Sequence, residues 1–203
     1  MGQVGAQTSG VRRGLIDDGA LVHASAQVWD FAHVRSAARI GARTILGRSV
    51  YVGPGALIGS DCKIQNGAQI FEPATLEDGV FVGPGAILTN DRFPRAITAG
   101  GDIKSASDWE PVGVYVEYGA SIGAGAICVA RLRIGKWAMI ASGAVLTSDA
   151  KAFGCYAGVP ARQVGWVGPA GFRLEDHGGS TYRCPSTGSI FSVSPNGELR
   201  QEE

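Results

Sequence analysis

The sequence predicts an all-β chain wound as a three-sided parallel β-helix of about six coils, and three observations predict it. Aliphatic residues recur at every sixth position, a small residue stands four places after each, and glycine supplies 31 of 203 residues. That glycine share is about twice the usual one and lacks the period of a collagen.

The aliphatic column runs Val22, Val28, Val34, Ile40, Leu46, Val52, Ile58, Ile64, Ile70, Leu76, Val82, Leu88. Neither the 3.6 period of a helix nor hairpin alternation produces it, whereas one short strand per side of a triangular coil does. Three hexads make one coil, so residues eighteen apart stack at about 4.8 Å. The predicted inward ladders are Val22, Ile40, Ile58, Leu76; Val28, Leu46, Ile64, Val82; and Val34, Val52, Ile70, Leu88. The small column (Ala26, Ala32, Ala38, Thr44, and on to Ala86) fits the narrow space beside each ladder, where a bulky side chain bursts the coil.

The register returns at Val116, Ile122, Cys128, Ile134, Ile140 and Leu146. Leu88 and Val116 are 28 apart, not a multiple of six, so residues 91–111 are expected to leave the prism as an extruded loop. A tolerated surface insertion is one reading of such a loop; a part in substrate binding is the other. The period stops after Ala150, which divides the chain into a disordered N-terminus (1–14), a β-helix domain (15–165) and a C-terminal extension (166–203), with Thr181 to Val193 as a small hairpin. Ile45, Tyr51, Leu57, Phe81 and Ile87 precede aliphatic positions and point outward. So much outward apolar surface predicts side-by-side association.

Eighteen Lys+Arg balance eighteen Asp+Glu, and no basic run exceeds Arg12-Arg13. This excludes the charge footprint of a nucleic-acid or anionic-membrane binder. The first twenty residues hold Arg12, Arg13, Asp17 and Asp18 with no apolar run, so neither a signal peptide nor a span is expected there, and Ala6 breaks the myristoylation pattern. Cys62, Cys128, Cys155 and Cys184 form no C-x-x-C pair. Reduced, scattered cysteines fit a cytoplasmic protein without a zinc ribbon.

The [LIV]-G-x-x-[STAV]-x series, ending in Ala157-Gly158-Val159-Pro160-Ala161-Arg162, resembles the hexapeptide-repeat acyltransferases over roughly residues 15 to 166. The resemblance implies a left-handed β-helix, a homotrimer, and acyl-CoA bound between neighbouring prisms. Lys63-Ile64-Gln65-Asn66, Leu76-Glu77-Asp78-Gly79-Val80-Phe81, Thr89-Asn90 and Pro94-Arg95 look like the branch that N-acetylates nucleotide-linked 3-amino sugars. Gln163-Val164-Gly165-Trp166 and Arg183-Cys184-Pro185-Ser186-Thr187-Gly188 look like the enzymes making UDP-2,3-diacetamido-glucuronic acid. Where that branch has Gly in a Val-Cys-Gly-Val run, this chain has Arg131, a long cation near a corner that can reach a phosphate or block a pocket. The nucleotide, the sugar and the acyl chain stay open.

Acetyl transfer to a sugar amine needs an unprotonated nitrogen aimed at the thioester, a partner for the oxyanion and a route for the proton. Asn66 stands second after Ile64, at a corner, where its amide oxygen can orient the amine. The resemblance makes it the central catalytic candidate; asparagine's tolerance of left-handed backbone at corners is the structural alternative. Glu72 and Asn90 stand second after Ile70 and Leu88, eighteen apart, so they stack on one corner where the loop begins. That corner is one six-residue side from Asn66, roughly 18 Å, so a site using all three needs two subunits. Gln65, Asp91, Arg95 and His33 complete the substrate-binding candidates. For the pantetheine of acetyl-CoA or another acyl-CoA, Gly123, Gly125, Ala141, Ser142 and Gly143 offer a wall of small residues; repeat geometry alone also accounts for these glycines. Arg162, with Lys151, can pair with its phosphates.

None of His23, His33 and His177 lies in a second-half coil, so sulfur or water is expected to take the proton. The same count excludes a γ-type carbonic anhydrase, which needs three histidines on zinc, and no metal is expected. A different hexapeptide acyltransferase, acting on a hydroxyl or an antibiotic's amino sugar, is the main alternative, though a hydroxyl acceptor asks for a histidine base. A non-catalytic β-helix scaffold is the remaining one. The reading is an acetyl-CoA-dependent N-acetyltransferase acting on the 3-amino group of a nucleotide-linked sugar by direct attack in a ternary complex.

Overall fold

A computed structural model of the chain describes residues 14–202. Apart from Gly14, the segment expected to be disordered lies outside the described residues. Three parallel sheets of two- and three-residue strands form the sides of a left-handed parallel β-helix. The first side stacks Leu21–Val22, Arg39–Ile40, Leu57–Ile58, Thr75–Leu76, Val114–Val116 and Leu132–Ile134. The second runs from Gln27–Val28 through Ile45–Leu46, Lys63–Ile64, Phe81–Val82 and Ser121–Ile122 to Met139–Ile140. The third begins at Leu15–Ile16, pairs with His33–Val34, and ends at Val145–Leu146.

Strand partners are eighteen residues apart within the first half, as Val22↔Ile40 and Val28↔Leu46 show. Beyond the half-buried Val22 at the open end, the inward aliphatic ladders are buried, and so is the small column from Ala26 to Ala144. Thr44 is the one polar side chain buried among the described residues. Its hydroxyl donates to Gly59 O at 2.7 Å and accepts from Cys62 N at 3.0 Å, so it bridges two coils with no unmet bond.

Most corners turn through a residue in the left-handed region, three places after the aliphatic one; those at Ser25 and Pro73 do not. Glycine holds that place in Gly67 (φ 70) and Gly125 (φ 65), but Phe31, Arg43, Asp61, Arg131 and Trp137 hold it too, with φ between 58 and 62. Asn66 is not the left-handed residue of its corner. Gly67 is, so Asn66 is free of that conformational duty.

Leu76 pairs with Val116, a separation of 40 rather than 18, and the chain between departs from the prism. Val112 N–H donates to Asn90 O at 3.0 Å and closes the neck of this excursion. Within it Ile97 and Ile103 form an antiparallel bridge, and Ser105 caps a 3-10 turn over Ala106–Asp108. At the far end Gly154–Gly158 extends the second side and Ala161–Trp166 folds back on it antiparallel. A four-stranded antiparallel sheet follows: Glu175–Asp176, Thr181–Arg183, Ile190–Val193 and Leu199–Gln201. Phe153, Trp166, Leu174, Cys184, Phe191 and Leu199 make its small core, on which Trp137 of the last coil packs. Among the described residues no helix is long and apolar enough to cross a membrane.

Candidate functional site

The edge between the second and third sides gathers half of the candidates. The register Ile64↔Val82↔Ile122↔Ile140 stacks the corners Gln65-Asn66-Gly67, Gly83-Pro84-Gly85, Gly123-Ala124-Gly125 and Ala141-Ser142-Gly143. Asn66 and Ser142 are therefore three coils apart, about 14 Å. The insertion between residues 88 and 116 hides this alignment from a count of eighteens, because 142 and 66 differ by 76.

Asn66 is exposed, and its Oδ1 accepts the backbone N–H of Arg48, one coil below, at 2.9 Å. That contact identifies the oxygen, since a backbone donor cannot face an NH2. One lone pair of the oxygen and both amide hydrogens remain. Gln65 and Asn66 line a hollow of about 350 Å³ together with Trp29, Asp30, Ile45 and Arg48. Arg48 also lies over the exposed Phe31 ring, 4.9 Å from its centre.

At some corners the second N–H is met by a side chain of an adjacent coil, and at others it is not. Ser60 N reaches Asp78, Tyr118 N reaches Glu77, Lys136 N reaches Glu117 and Ala130 N reaches Thr89, at 2.6 to 2.8 Å. The N–H groups of Ala124 and Ser142 have no acceptor among the described residues, and both residues are exposed. Two outward amide donors thus stand along the edge above Asn66. They fit the amide carbonyls of a pantetheine arm, which need such donors. Gly123 has no room for a side chain because Ser142 N lies against it, and Gly125 and Gly143 occupy left-handed turns, so packing accounts for all three glycines.

Glu72 and Asn90 sit on the next edge, between the third and first sides, in successive coils as Ile70↔Leu88 requires. Glu72 Oε2 is buried without a hydrogen-bond partner. Asp78 and Asn66 reach down to the N–H eighteen residues earlier; the residue eighteen before Glu72 is Pro54, which has none. The carboxylate lies instead against Gly53, where a Cβ would collide with it. Asn90 is half-buried at the loop neck. Asp91 lines a cavity at the loop root and turns its Oδ1 to Phe93 N at 2.7 Å. Arg95 is exposed and donates to its neighbour Pro94 O, outside that cavity.

His33 stands on the third side, two coils below Gln69. Its Nε2 is 2.8 Å from Asp17 Oδ1, whose other oxygen takes Arg35 Nε at 2.8 Å. These bonds, His33's first, hold the Asp17 carboxyl below its ordinary pKa. Arg35 Nη1 donates on to the Tyr51 hydroxyl at 3.4 Å. A carboxylate-oriented imidazole is the arrangement of a general base, yet it lies on a face apart from the Asn66 hollow. Sequence reasoning missed Asp17 and Arg35 as partners; their eighteen-residue spacing was the available signal.

The phosphate-contact candidates are not brought together. Lys151 Nζ donates to Gly197 O at 3.0 Å and ties the C-terminal sheet to the coil end. Arg162 is exposed on the returning strand and donates to Ala161 O. Burial pushes the Cys128 thiol up to about 12, as suits a core ladder position. Among the described residues no three His, Cys, Asp or Glu side chains converge as a metal site.

A scan against protein-family models finds no match, and a search of curated proteins finds none. Solved structures do match. A Bacillus cereus protein assigned as an acetyltransferase superposes with a TM-score of 0.50 at 18% identity, over 74% of this chain and 76% of that one. A hexapeptide transferase family protein of Anaplasma phagocytophilum gives 0.51 at 17% identity, over 76% and 80%. This chain shares their fold. A mutant of the GDP-perosamine N-acetyl transferase of Caulobacter crescentus, in complex with CoA and GDP-perosamine, gives 0.38 at 21% identity, over 77% of this chain and 58% of that longer one.

Proposed function

We propose that the protein is an acyl-CoA-dependent acetyltransferase that acylates the 3-amino group of a nucleotide-linked amino sugar. The observation that carries this reading is the single edge on which Asn66 and Gln65 sit below the unpaired N–H groups of Ala124 and Ser142. An acceptor amine held at one end of this edge meets a donor laid along the rest of it. The fold is compatible with the reading, being one shared with the hexapeptide transferase family protein of Anaplasma phagocytophilum.

Acetyl-CoA supplies an activated thioester. The amine nitrogen forms the new C–N bond, the C–S bond breaks, and the nitrogen's proton leaves to the thiolate or to water. Asn66 holds the amine through the free lone pair of Oδ1, its other lone pair being fixed by Arg48 N–H. That fixed bond preorganises the amide before substrate arrives. Ala124 and Ser142 hold the donor's amide carbonyls.

Glu72 and Asn90 lie one side away, so they reach the same acceptor only from a neighbouring prism. Leu15, Leu21, Leu57 and Phe81 are exposed outward positions that such packing covers. A homotrimer with sites between subunits satisfies both requirements.

The test is thiol release from acetyl-CoA across UDP- and dTDP-linked 3-amino sugars, with free amino sugars and hydroxyl acceptors alongside. Release with one nucleotide-linked amine supports the reading and names the nucleotide. Release only with a hydroxyl or a free amino sugar replaces it with another acyltransferase, and none with any acceptor or acyl-CoA leaves a scaffold.

A further inference from the structure

The root of the extruded loop encloses two adjoining hollows of about 320 and 440 Å³, both lined by Arg92, Phe93 and Arg131. Lys104 and Trp109 wall the first, and Thr147 and Ser148 the second. They lie on the edge between the third and first sides, one face away from Asn66. Of their lining, the acyl-transfer reading draws on Asp91 alone, next to Asn90 at the loop neck.

The charges lining these hollows are unequally engaged. Asp91 is turned to Phe93 N, Asp108 takes Ser105 N and the Ser105 hydroxyl at 2.7 Å each, and Asp149 takes Arg133 N at 2.8 Å. These three carboxylates hold the loop and the corner in shape; Glu110 is exposed. Arg92 and Arg131 make no ion pair among the described residues, and Arg92 lies 5.9 Å from the Phe93 ring centre. Arg131 sits at φ 62, a conformation glycine adopts without cost and an arginine does not. Phe31, Arg43 and Trp137 hold the same corner place elsewhere in the prism, so the turn itself does not single out Arg131.

We propose that this cleft is a binding site for a ligand carrying an oxyanion, phosphate or carboxylate, clamped between the guanidiniums of Arg92 and Arg131 with an apolar or aromatic portion against Trp109 and Phe93. Guanidinium forks match either oxyanion through paired N–H donors, and the hydroxyls of Thr147 and Ser148 stand ready for its remaining oxygens. The proposal stands apart from the acetyl-transfer reading, since it asks for binding and not turnover.

Calorimetric titration of the full chain with inorganic phosphate, uridine diphosphate, coenzyme A and glucuronic acid tests it and separates the sources. At least one is expected to bind with Kd below about 1 mM. Arg131→Gly and Arg92→Gln are each expected to weaken that ligand about tenfold or more, with the melting temperature of Arg131→Gly unchanged or raised. Phosphate-bearing ligands alone binding assigns the cleft to a nucleotide; glucuronic acid binding assigns it to a sugar acid. No binding by any of the four, or equal affinity in both variants and the native chain, overturns the proposal. A chain that binds in this way yet releases no thiol keeps this inference and removes the acetyl-transfer one; turnover with binding untouched in both variants does the reverse.

Discussion

Asn66 makes one structural bond and has one catalytic role proposed for it, and paired substitutions read the two apart. Its Oδ1 accepts Arg48 N–H at 2.9 Å on an exposed corner. Asn66→Ala frees that donor to water, so the stability cost is that of one ordinary hydrogen bond, about 1 kcal/mol. In a chain of this length that lowers the melting temperature by roughly 2–4 °C. Asn66→Asp keeps an acceptor for Arg48 N–H and is expected to melt within a degree or so of the native protein. Turnover should respond differently. Losing the contact that orients the amine removes about 1.5–3 kcal/mol, or roughly 10- to 100-fold in kcat/KM. In Asn66→Asp a carboxylate beside the amine favours the ammonium and raises its pKa. Less nucleophile is then available at a given pH, and the rate profile moves to higher pH. Scanning calorimetry and thiol release on the same preparations decide. Full turnover in Asn66→Ala refutes the catalytic role; a fall in melting temperature that accounts for the lost turnover makes Asn66 a structural residue.

Thr44→Val keeps shape but strands Cys62 N and Gly59 O inside the prism; urea unfolding should show a loss of about 1–3 kcal/mol. Ala68, fully buried in the small column, has no space for a larger side chain; Ala68→Leu should cost about 1–3 kcal/mol or more and lower the yield of folded protein, read by circular dichroism. Glu77, held low by the Tyr115 hydroxyl and then Tyr118 N–H, and Asp17, held low by His33 and then Arg35, bind fewer protons folded than unfolded. Their stabilisation is full above the ordinary carboxylate values, by about pH 5 to 6, and declines as pH falls through the lowered values, so carboxyl NMR titrations should show midpoints below the ordinary range. Cys128, with its thiol pushed up to about 12, should resist alkylation at pH 8 in the native chain and react on unfolding, checked by peptide mass spectrometry.

The coil was legible in the sequence because one constraint repeats. A triangular prism admits an aliphatic residue on each side and a small one beside it, and each coil tests that rule three times between Val22 and Leu146. The place where the register breaks is arithmetic as well. The partners of the corner side chains were less legible, although the same count of eighteen contains them. Pro54 below Glu72, Arg48 below Asn66 and Asp17 below Arg35 are all eighteen apart, yet which of two stacked residues reaches toward the other depends on side-chain direction.

By itself the sequence determined the architecture, its inward ladders, the site of the excursion and the corner position of Asn66, since these follow from spacing and volume alone. Only the tertiary structure decided that Gly67 and not Asn66 takes the left-handed turn, that Lys151 holds the C-terminal sheet, and that Ala124 and Ser142 stand above Asn66 with free donors. It also decided that Glu72 is left without a donor and that Arg92 and Arg131 line the same hollows at the loop root. The stack above Asn66, the Lys151 tie and the loop root join residues across a 22-residue insertion or a chain reversal, where periodicity carries no information and the packed path of the backbone sets every distance.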